Sequence, residues 1–237
     1  MINNYPIVNI YEKKSLNSKL SSQLLYGEKF QILNKKGNWL KIKTSYDRYI
    51  GFIKKRKFLK KIKLTHKISS LNASLYSKPM KNFILKIKLP FCSLISVTDE
   101  TKNFYKFKNY WVKKKDVIPI NYNQEIFKNI NIFKNIPYKW GGKTFKGIDC
   151  SALVQLFFKF NNLYCPRDTK DQIKYFKKKK KLKKNAIIFW KGHVAVCISK
   201  KKLIHAYGPK KKVLIMKINE TLKLIELTAK LKVIGIR

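Results

Sequence analysis

The sequence predicts an α+β protein in which two small β-barrels precede a domain of helices followed by a sheet. Up to about residue 119, short alternating strands are separated by turn residues and no helical period is present. From residue 120 onward, segments with a helical period come first and strands follow. The 237 residues, 45% of them hydrophobic, are enough for two to three small domains with apolar cores.

Residues 1–61 are predicted to form the first barrel. Residues 26–33, 37–43 and 47–53 each alternate apolar and polar side chains, and turn residues separate them. Such segments are typical of the strands of a small barrel.

Residues 62–119 are predicted to form a second barrel with a weaker pattern. Residues 76–79, 94–97, 104–107 and 110–112 repeat the same kinds of segment at comparable offsets. The alternative is an irregular all-β extension of the first barrel.

Residues 120–237 are predicted to form the third domain. Helices are expected over 124–133, 150–160 and 169–176, and strands near 186–190, 193–198, 202–206, 213–218 and 232–236. In this arrangement a cysteine begins the second helix, and that helix packs against a sheet that carries two histidines.

Cys150 is the leading candidate for a nucleophile. A glycine-rich loop, residues 141–147, stops just before it, and an apolar-periodic run begins at the cysteine itself. Unpaired N–H groups and the helix dipole at a helix N-terminus favour the thiolate, which is the reactive form. His193 is then a candidate base and His205 a candidate orienting residue, on neighbouring strands where their rings can touch.

Each of these residues alone has a structural explanation, because single cysteines and histidines usually belong to the core. Their combination with the glycine-rich loop favours a thiol hydrolase. Zinc binding is the other functional reading, but paired ligand spacings such as Cys-x-x-Cys are absent from the sequence. We therefore expect neither a metal nor another cofactor.

Residues 136–237 resemble an NlpC-type cell-wall cysteine peptidase. The similarity lies in five segments in the same order: 137–142, 147–151, 165–169, 187–195 and 203–206. It implies a papain-like fold, cleavage of γ-D-glutamyl bonds in peptidoglycan peptides, and the same roles for Cys150, His193 and His205. Residues 5–60 resemble a bacterial SH3-like domain.

In proteins that combine these two domain types, the resemblance implies a pocket for a free terminal amine. Carried over to this sequence, it places the amine at Asp168 and Thr169. The cleft would be lined by Tyr138, Trp140, Asp149 and Ser151, with Tyr49 of the first barrel closing it. A carboxylate that pairs with an ammonium excludes peptides with a blocked amine. The alternative for Asp168 is a helix N-cap.

Targeting and redox patterns indicate the cytoplasm. No apolar run approaches 18 residues, and residues 1–6 lack the basic and apolar segments of a secretory signal. We expect no membrane association. Cys92, Cys165 and Cys197 lie among apolar residues and are predicted to be reduced core residues.

The net charge of +43 would ordinarily indicate a polyanionic partner. Only four of the 55 basic residues are arginine, and the lysines are spread over the whole chain, as a codon bias towards A and T would produce. We expect no specific nucleic-acid partner. The lysine run 177–184 is predicted to form a solvated loop.

The predicted function is that of a cytoplasmic cysteine endopeptidase in peptidoglycan recycling. Its substrate is a murein peptide with a free N-terminal L-alanine, cut between γ-D-glutamate and the diamino acid. One alternative is an exported hydrolase of intact wall, anchored by the barrels. Another is a wall- or polyanion-binding protein with an idle peptidase domain. The sequence indicates no oligomeric state.

Overall fold

The computed structural model describes residues 1–179 and 181–237 and divides into two compact units. The N-terminal unit, Met1–Tyr122, is built of strands and short 3-10 turns. The C-terminal unit, Asn123–Arg237, combines three α-helices with a five-stranded sheet. The predicted fold class, a β-rich region followed by an α+β domain of helices and a sheet, is confirmed.

The first sheet of the N-terminal unit has five antiparallel strands in the order β2-β1-β5-β4-β3. Their bounds are β1 Ile7–Tyr11, β2 Leu20–Leu25, β3 Phe30–Lys36, β4 Trp39–Thr44 and β5 Ile50–Lys54. Alternation buries one face of β4, with Leu40 and Ile42 in the core and Lys41 exposed. Hydrophobic burial on one face is what holds such a sheet together.

The rest of the N-terminal unit forms two further sheets, ordered β10-β11-β12-β7-β8 and β13-β6-β9. Their strands are β6 His66–Ile68, β7 Asn72–Tyr76, β8 Ile84–Pro90, β9 Leu94–Ile95, β10 Asp99–Glu100, β11 Phe104–Phe107, β12 Tyr110–Lys113 and β13 Val117–Pro119. Short 3-10 helices occupy Lys81–Phe83 and Lys114–Asp116. Tyr26, which follows β2, belongs to the core of these later sheets and meets Phe107 edge to face.

The C-terminal unit has helices α1 Cys150–Phe160, α2 Thr169–Tyr175 and α3 Ile218–Ala229. A short hairpin, β14 Lys143–Thr144 and β15 Gly147–Ile148, precedes α1. The main sheet is antiparallel in the order β19-β18-β17-β16-β20, with β16 Ile187–Trp190, β17 His193–Cys197, β18 Lys202–Tyr207, β19 Lys212–Lys217 and β20 Val233–Ile236. The helix α1 packs against β17 and β18, which brings its N-terminus to this sheet.

The predicted helix over residues 124–133 is wrong. This segment consists of turns and a 3-10 helix at Ile130–Phe133. Asparagine favours turns over helix interiors, and the segment contains Asn129 and Asn131; Asn135, just after it, has a left-handed φ of 66°. The segment is held by tertiary contacts instead, including Gln124 N to Asn161 Oδ1 at 2.7 Å.

The helix α3 was not predicted, although its sequence carries a helical signal. Ile218, Leu222 and Ile225 recur at helical spacing and pack on the sheet core.

Two surface predictions concern the lysine run and the membrane. The run 177–184 includes residue 180, which lies outside the described residues. Within the run, Lys184 forms an ion pair with Glu125 at 2.8 Å, and both side chains are exposed. Across residues 1–179 and 181–237, the helices are too short or too polar to span a bilayer.

Candidate active site

The helix α1 begins at Cys150, as predicted, and Asp149 is its N-cap. The Asp149 carboxylate accepts a hydrogen bond from Ala152 N at 2.8 Å and another from Gly141 N at 2.9 Å. Gly141 adopts a φ of +71°, and a Cβ on Gly142 would lie 2.4 Å from Gly147 O. The glycines are therefore required for the loop to reach the helix N-terminus.

The Cys150 thiol lies beside the main chain on both sides of His193. Its Sγ is 4.0 Å from Gly192 O, and the N–H of Val194 donates to the sulfur. The residue is only 6% exposed. The strand start that carries the candidate base is therefore in contact with the candidate nucleophile.

His193 and His205 are joined by a hydrogen bond, with 3.0 Å between His193 Nε2 and His205 Nδ1. The register Val196↔Ile204 and Cys197↔Leu203 of strands β17 and β18 puts the two histidines diagonally opposite on one face. The His205 ring also stacks on Tyr207. Because His193 Nε2 is bound to His205, its Nδ1 is the ring nitrogen that can accept the thiol proton.

All three groups of this cluster are neutral at neutral pH. Burial raises the pKa of the Cys150 thiol to about 12, and the Asp149 charge acts in the same direction. Burial, with the neighbouring His205, lowers the pKa of His193 to about 3. Burial also lowers the pKa of His205 to about 4.

This protonation state differs from the expected thiolate at the helix N-terminus. Desolvation disfavours the thiolate more strongly than the hydrogen bonds from the N–H groups of Val194 and Ser151 favour it. The arrangement can therefore act by general-base catalysis, in which neutral His193 takes the proton as the sulfur attacks.

Asp149 and Ser151, predicted to line the substrate cleft, bind a buried arginine. Arg167 donates to the two Asp149 carboxylate oxygens at 3.0 and 2.6 Å, and to Ser151 Oγ at 2.8 Å. Sequence reasoning gave Arg167 no role. Its rarity was a usable signal, because only four of the 55 basic residues of this chain are arginine.

Asp168, the predicted amine-binding residue, occupies the N-cap position of α2, but its side chain makes no capping hydrogen bond. Burial raises the pKa of Asp168, and the adjacent Arg167 charge opposes this shift. Thr169 is the first residue of α2. The N-cap alternative for the Asp168 side chain therefore lacks its defining contact.

The two predicted aromatic residues of the cleft differ in exposure. Trp140 is 63% exposed, in the loop that ends at the two glycines. Tyr138 is half-buried; burial raises the pKa of its hydroxyl, and the nearby Cys150 and Asp149 add to the shift. A protonated phenol therefore lies within electrostatic range of the thiol.

Tyr49 lies in the N-terminal unit, just before β5, where its N–H donates to Thr44 Oγ1 at 2.8 Å. Its contact with substrate stays a prediction. Cys92, Cys165 and Cys197 are buried and reduced, as predicted. Among the described residues, no group of three or more His, Cys, Asp or Glu side chains is arranged to hold a metal ion.

A cysteine at a helix start, beside a histidine that is oriented by a second histidine, defines a cysteine peptidase of the papain-like kind. Residues 135–229 match the NlpC/P60 family, and residues 10–58 match the bacterial dipeptidyl-peptidase Sh3 domain. The chain thus combines an NlpC/P60 peptidase domain with an SH3 domain of this type, and it is a cysteine peptidase.

Relatives that are named as peptidases align with most of the chain. A γ-D-glutamyl-L-lysine dipeptidyl-peptidase of Bacillus subtilis is 27% identical, over 89% of this chain and 80% of its own length. Dipeptidyl-peptidase 6 of Lysinibacillus sphaericus is 24% identical, over 84% of each protein. The crystal structure of an NlpC/P60 family protein from Bacillus cereus has the same fold, with a TM-score of 0.84 at 19% identity over 100% of this chain and 98% of that one.

Proposed function

We propose that this peptidase hydrolyses the bond between γ-D-glutamate and a diamino acid in peptidoglycan-derived peptides. The observation that carries the proposal is the contact of the Cys150 thiol with the strand start at His193, whose Nε2 is bound to His205 at 3.0 Å. Two relatives that share most of the chain are named γ-D-glutamyl-L-lysine dipeptidyl-peptidases, which supports this bond as the target.

Cys150 is the nucleophile in the proposed reaction. Its thiol proton moves to His193 Nδ1 as Sγ attacks the γ-carbonyl carbon, and the C–N bond then breaks as His193 returns the proton to the leaving amine. Water hydrolyses the thioester, with His193 again as base. The Cys150 N–H and the protonated Tyr138 hydroxyl can donate to the developing oxyanion.

Asp168 is the proposed partner of a free N-terminal ammonium. Its side chain makes no cap hydrogen bond although the residue stands at an N-cap, so the carboxylate is available to a ligand. Thr169, Tyr138 and Trp140 would contact the first two residues of the peptide. Asp149 and Ser151 would shape the cleft wall.

This specificity fits release of a dipeptide from a free amino end, and hence recycling of peptides already cut from the wall. We propose the cytoplasm as the compartment, to be tested by fractionation. The exported wall hydrolase is the competing proposal.

The test compares three substrates: the tripeptide L-Ala-γ-D-Glu-diamino acid, the same peptide N-acetylated, and intact sacculi. Mass spectrometry should show L-Ala-D-Glu and the free diamino acid from the first substrate alone. Digestion of sacculi as fast as the free tripeptide would contradict recycling and favour the wall hydrolase. Cleavage at the L-Ala–D-Glu bond would contradict the proposed bond specificity.

A further inference from the structure

A buried ion pair adjoins the candidate nucleophile in the sequence and in space. Asp149 directly precedes Cys150, and its carboxylate is held in bidentate fashion by Arg167. Asp149 is 7% exposed and Arg167 is 3% exposed. Removing one partner of such a pair leaves an uncompensated buried charge.

The Asp149 carboxylate has two opposing effects at this position. It stabilises the helix start by capping α1 through Ala152 N and by fixing the glycine-rich loop through Gly141 N. It also places a negative charge beside a thiol that must become negative to react, which opposes ionisation of that thiol.

We propose that Arg167 is a positioning residue for the nucleophile, which neutralises Asp149 so that a carboxylate can cap α1 without suppressing the reactivity of Cys150. The inference rests on the proposed role of Cys150 as nucleophile. The geometric basis is that Arg167 donates hydrogen bonds to both carboxylate oxygens of Asp149 and a third to Ser151 Oγ. Asp149 and Ser151 flank Cys150 on its two sides in the sequence.

Arginine suits this role better than lysine. The planar guanidinium can bind both carboxylate oxygens and still donate to the Ser151 hydroxyl, whereas an ammonium acts as a point charge without this fixed geometry. In a chain with 51 lysines and four arginines, an arginine at this position agrees with a requirement for bidentate binding.

The charges that act on the thiol come from several elements. Asp149 raises the pKa of Cys150, and Arg167 lowers it, as do hydrogen bonds from the N–H groups of Val194 and Ser151. The other titratable groups of the site are Tyr138 in the preceding loop, His193 on β17, His205 on β18 and Asp168 beside Arg167. Substitution of Asp149 or Arg167 removes none of these four groups.

The test is the pH profile of iodoacetamide alkylation at Cys150, read as the labelled peptide by mass spectrometry in the full-length chain. Alkylation requires no peptide substrate, so the result is independent of which bond the enzyme cleaves. The variants are Asp149→Asn, Arg167→Met, Arg167→Lys and the double variant Asp149→Asn with Arg167→Met.

The single neutral variants should shift the profile in opposite directions. Asp149→Asn should lower the apparent pKa of the thiol and speed alkylation at a fixed pH, by on the order of tenfold for each pKa unit. Arg167→Met should raise this pKa and slow alkylation. The double variant should lie between the two, and Arg167→Lys should retain more reactivity than Arg167→Met.

A merely structural role would give a different result, because loss of either partner would then disturb the helix start in the same way. Shifts of the same sign in both single variants, or no shift, would overturn the proposal. If Arg167→Met does not fold, the comparison of the double variant with Asp149→Asn decides, because these two chains differ only at Arg167 and the double variant leaves no unpaired buried charge; the thiol pKa should be higher in the double variant, and an equal or lower pKa would overturn the proposal. If Cys150 responds in this way but the chain cleaves no γ-D-glutamyl peptide, the proposed function fails and the pairing stands.

Discussion

His193 Nε2 lies 3.0 Å from His205 Nδ1, and this contact fixes which nitrogen of His193 can serve the thiol. Since Nε2 is occupied, Nδ1 is the nitrogen that can exchange a proton with Cys150. His205 thus orients His193. This role requires an acceptor for the hydrogen bond from His193 Nε2, and it does not require a group that changes its charge.

Substitutions of the two histidines should therefore have unequal effects. His193→Ala should reduce kcat on the free tripeptide by about 10² to 10⁴-fold, because both proton transfers pass through this residue. His205→Gln and His205→Asn should keep a measurable fraction of kcat, because an amide oxygen can still accept from Nε2. Equal loss in His205→Gln and His193→Ala, together with inhibition by chelators, would indicate a metal site instead.

The acid limb of kcat should lie well below the ordinary histidine pKa of 6.5. Protonated His193 cannot act as a base, so activity is lost as pH falls through its pKa, which burial lowers to about 3. The measurement uses saturating substrate, so that kcat reports the protonation of His193. Protonation of Asp168 should weaken substrate binding and should therefore raise KM instead. A kcat profile with its acid midpoint near 6.5 would contradict a buried neutral base.

The net charge of +43 should give only weak, nonspecific binding to polyanions. Duplex DNA and RNA of unrelated sequence should bind alike at low salt and dissociate by moderate salt, without effect on peptide hydrolysis. Electrophoretic mobility shifts across a salt series measure this. Sequence-selective binding that persists at physiological salt would favour the polyanion-binding alternative.

Local sequence was sufficient to predict the helix start at Cys150 and the strands that carry His193 and His205. The glycine-rich loop and the apolar period lie next to each other in the chain, so their signal is local. The wrong helix at 124–133 shows the limit of periodicity, because its asparagines offer the backbone competing hydrogen bonds.

Two features of the site depend on tertiary structure. The pairing of Arg167 with Asp149 joins residues 18 positions apart, and no sequence period specifies it. The neutral state of the thiol follows from its burial, which is a property of the folded chain that the local sequence does not specify.

Recognition of a free amine should depend on Asp168. Asp168→Asn should lower kcat/KM on the free tripeptide and narrow its advantage over the N-acetylated peptide, which we expect to be on the order of a thousandfold in the unmodified enzyme. Asp171→Asn, one helical turn further along α2, is the matched control and should keep the full discrimination. Loss of discrimination in both variants, or in neither, would contradict the assignment.

The most direct measurement of the central claim is release of L-Ala-D-Glu from the free tripeptide by Cys150→Ala and by Cys197→Ala. Both replace a buried, reduced cysteine, but only Cys150 stands at the start of α1 beside His193. Mass spectrometry should show no release above background for Cys150→Ala and nearly full turnover for Cys197→Ala, with both variants folded by circular dichroism. Substantial release by folded Cys150→Ala would contradict its role as the nucleophile.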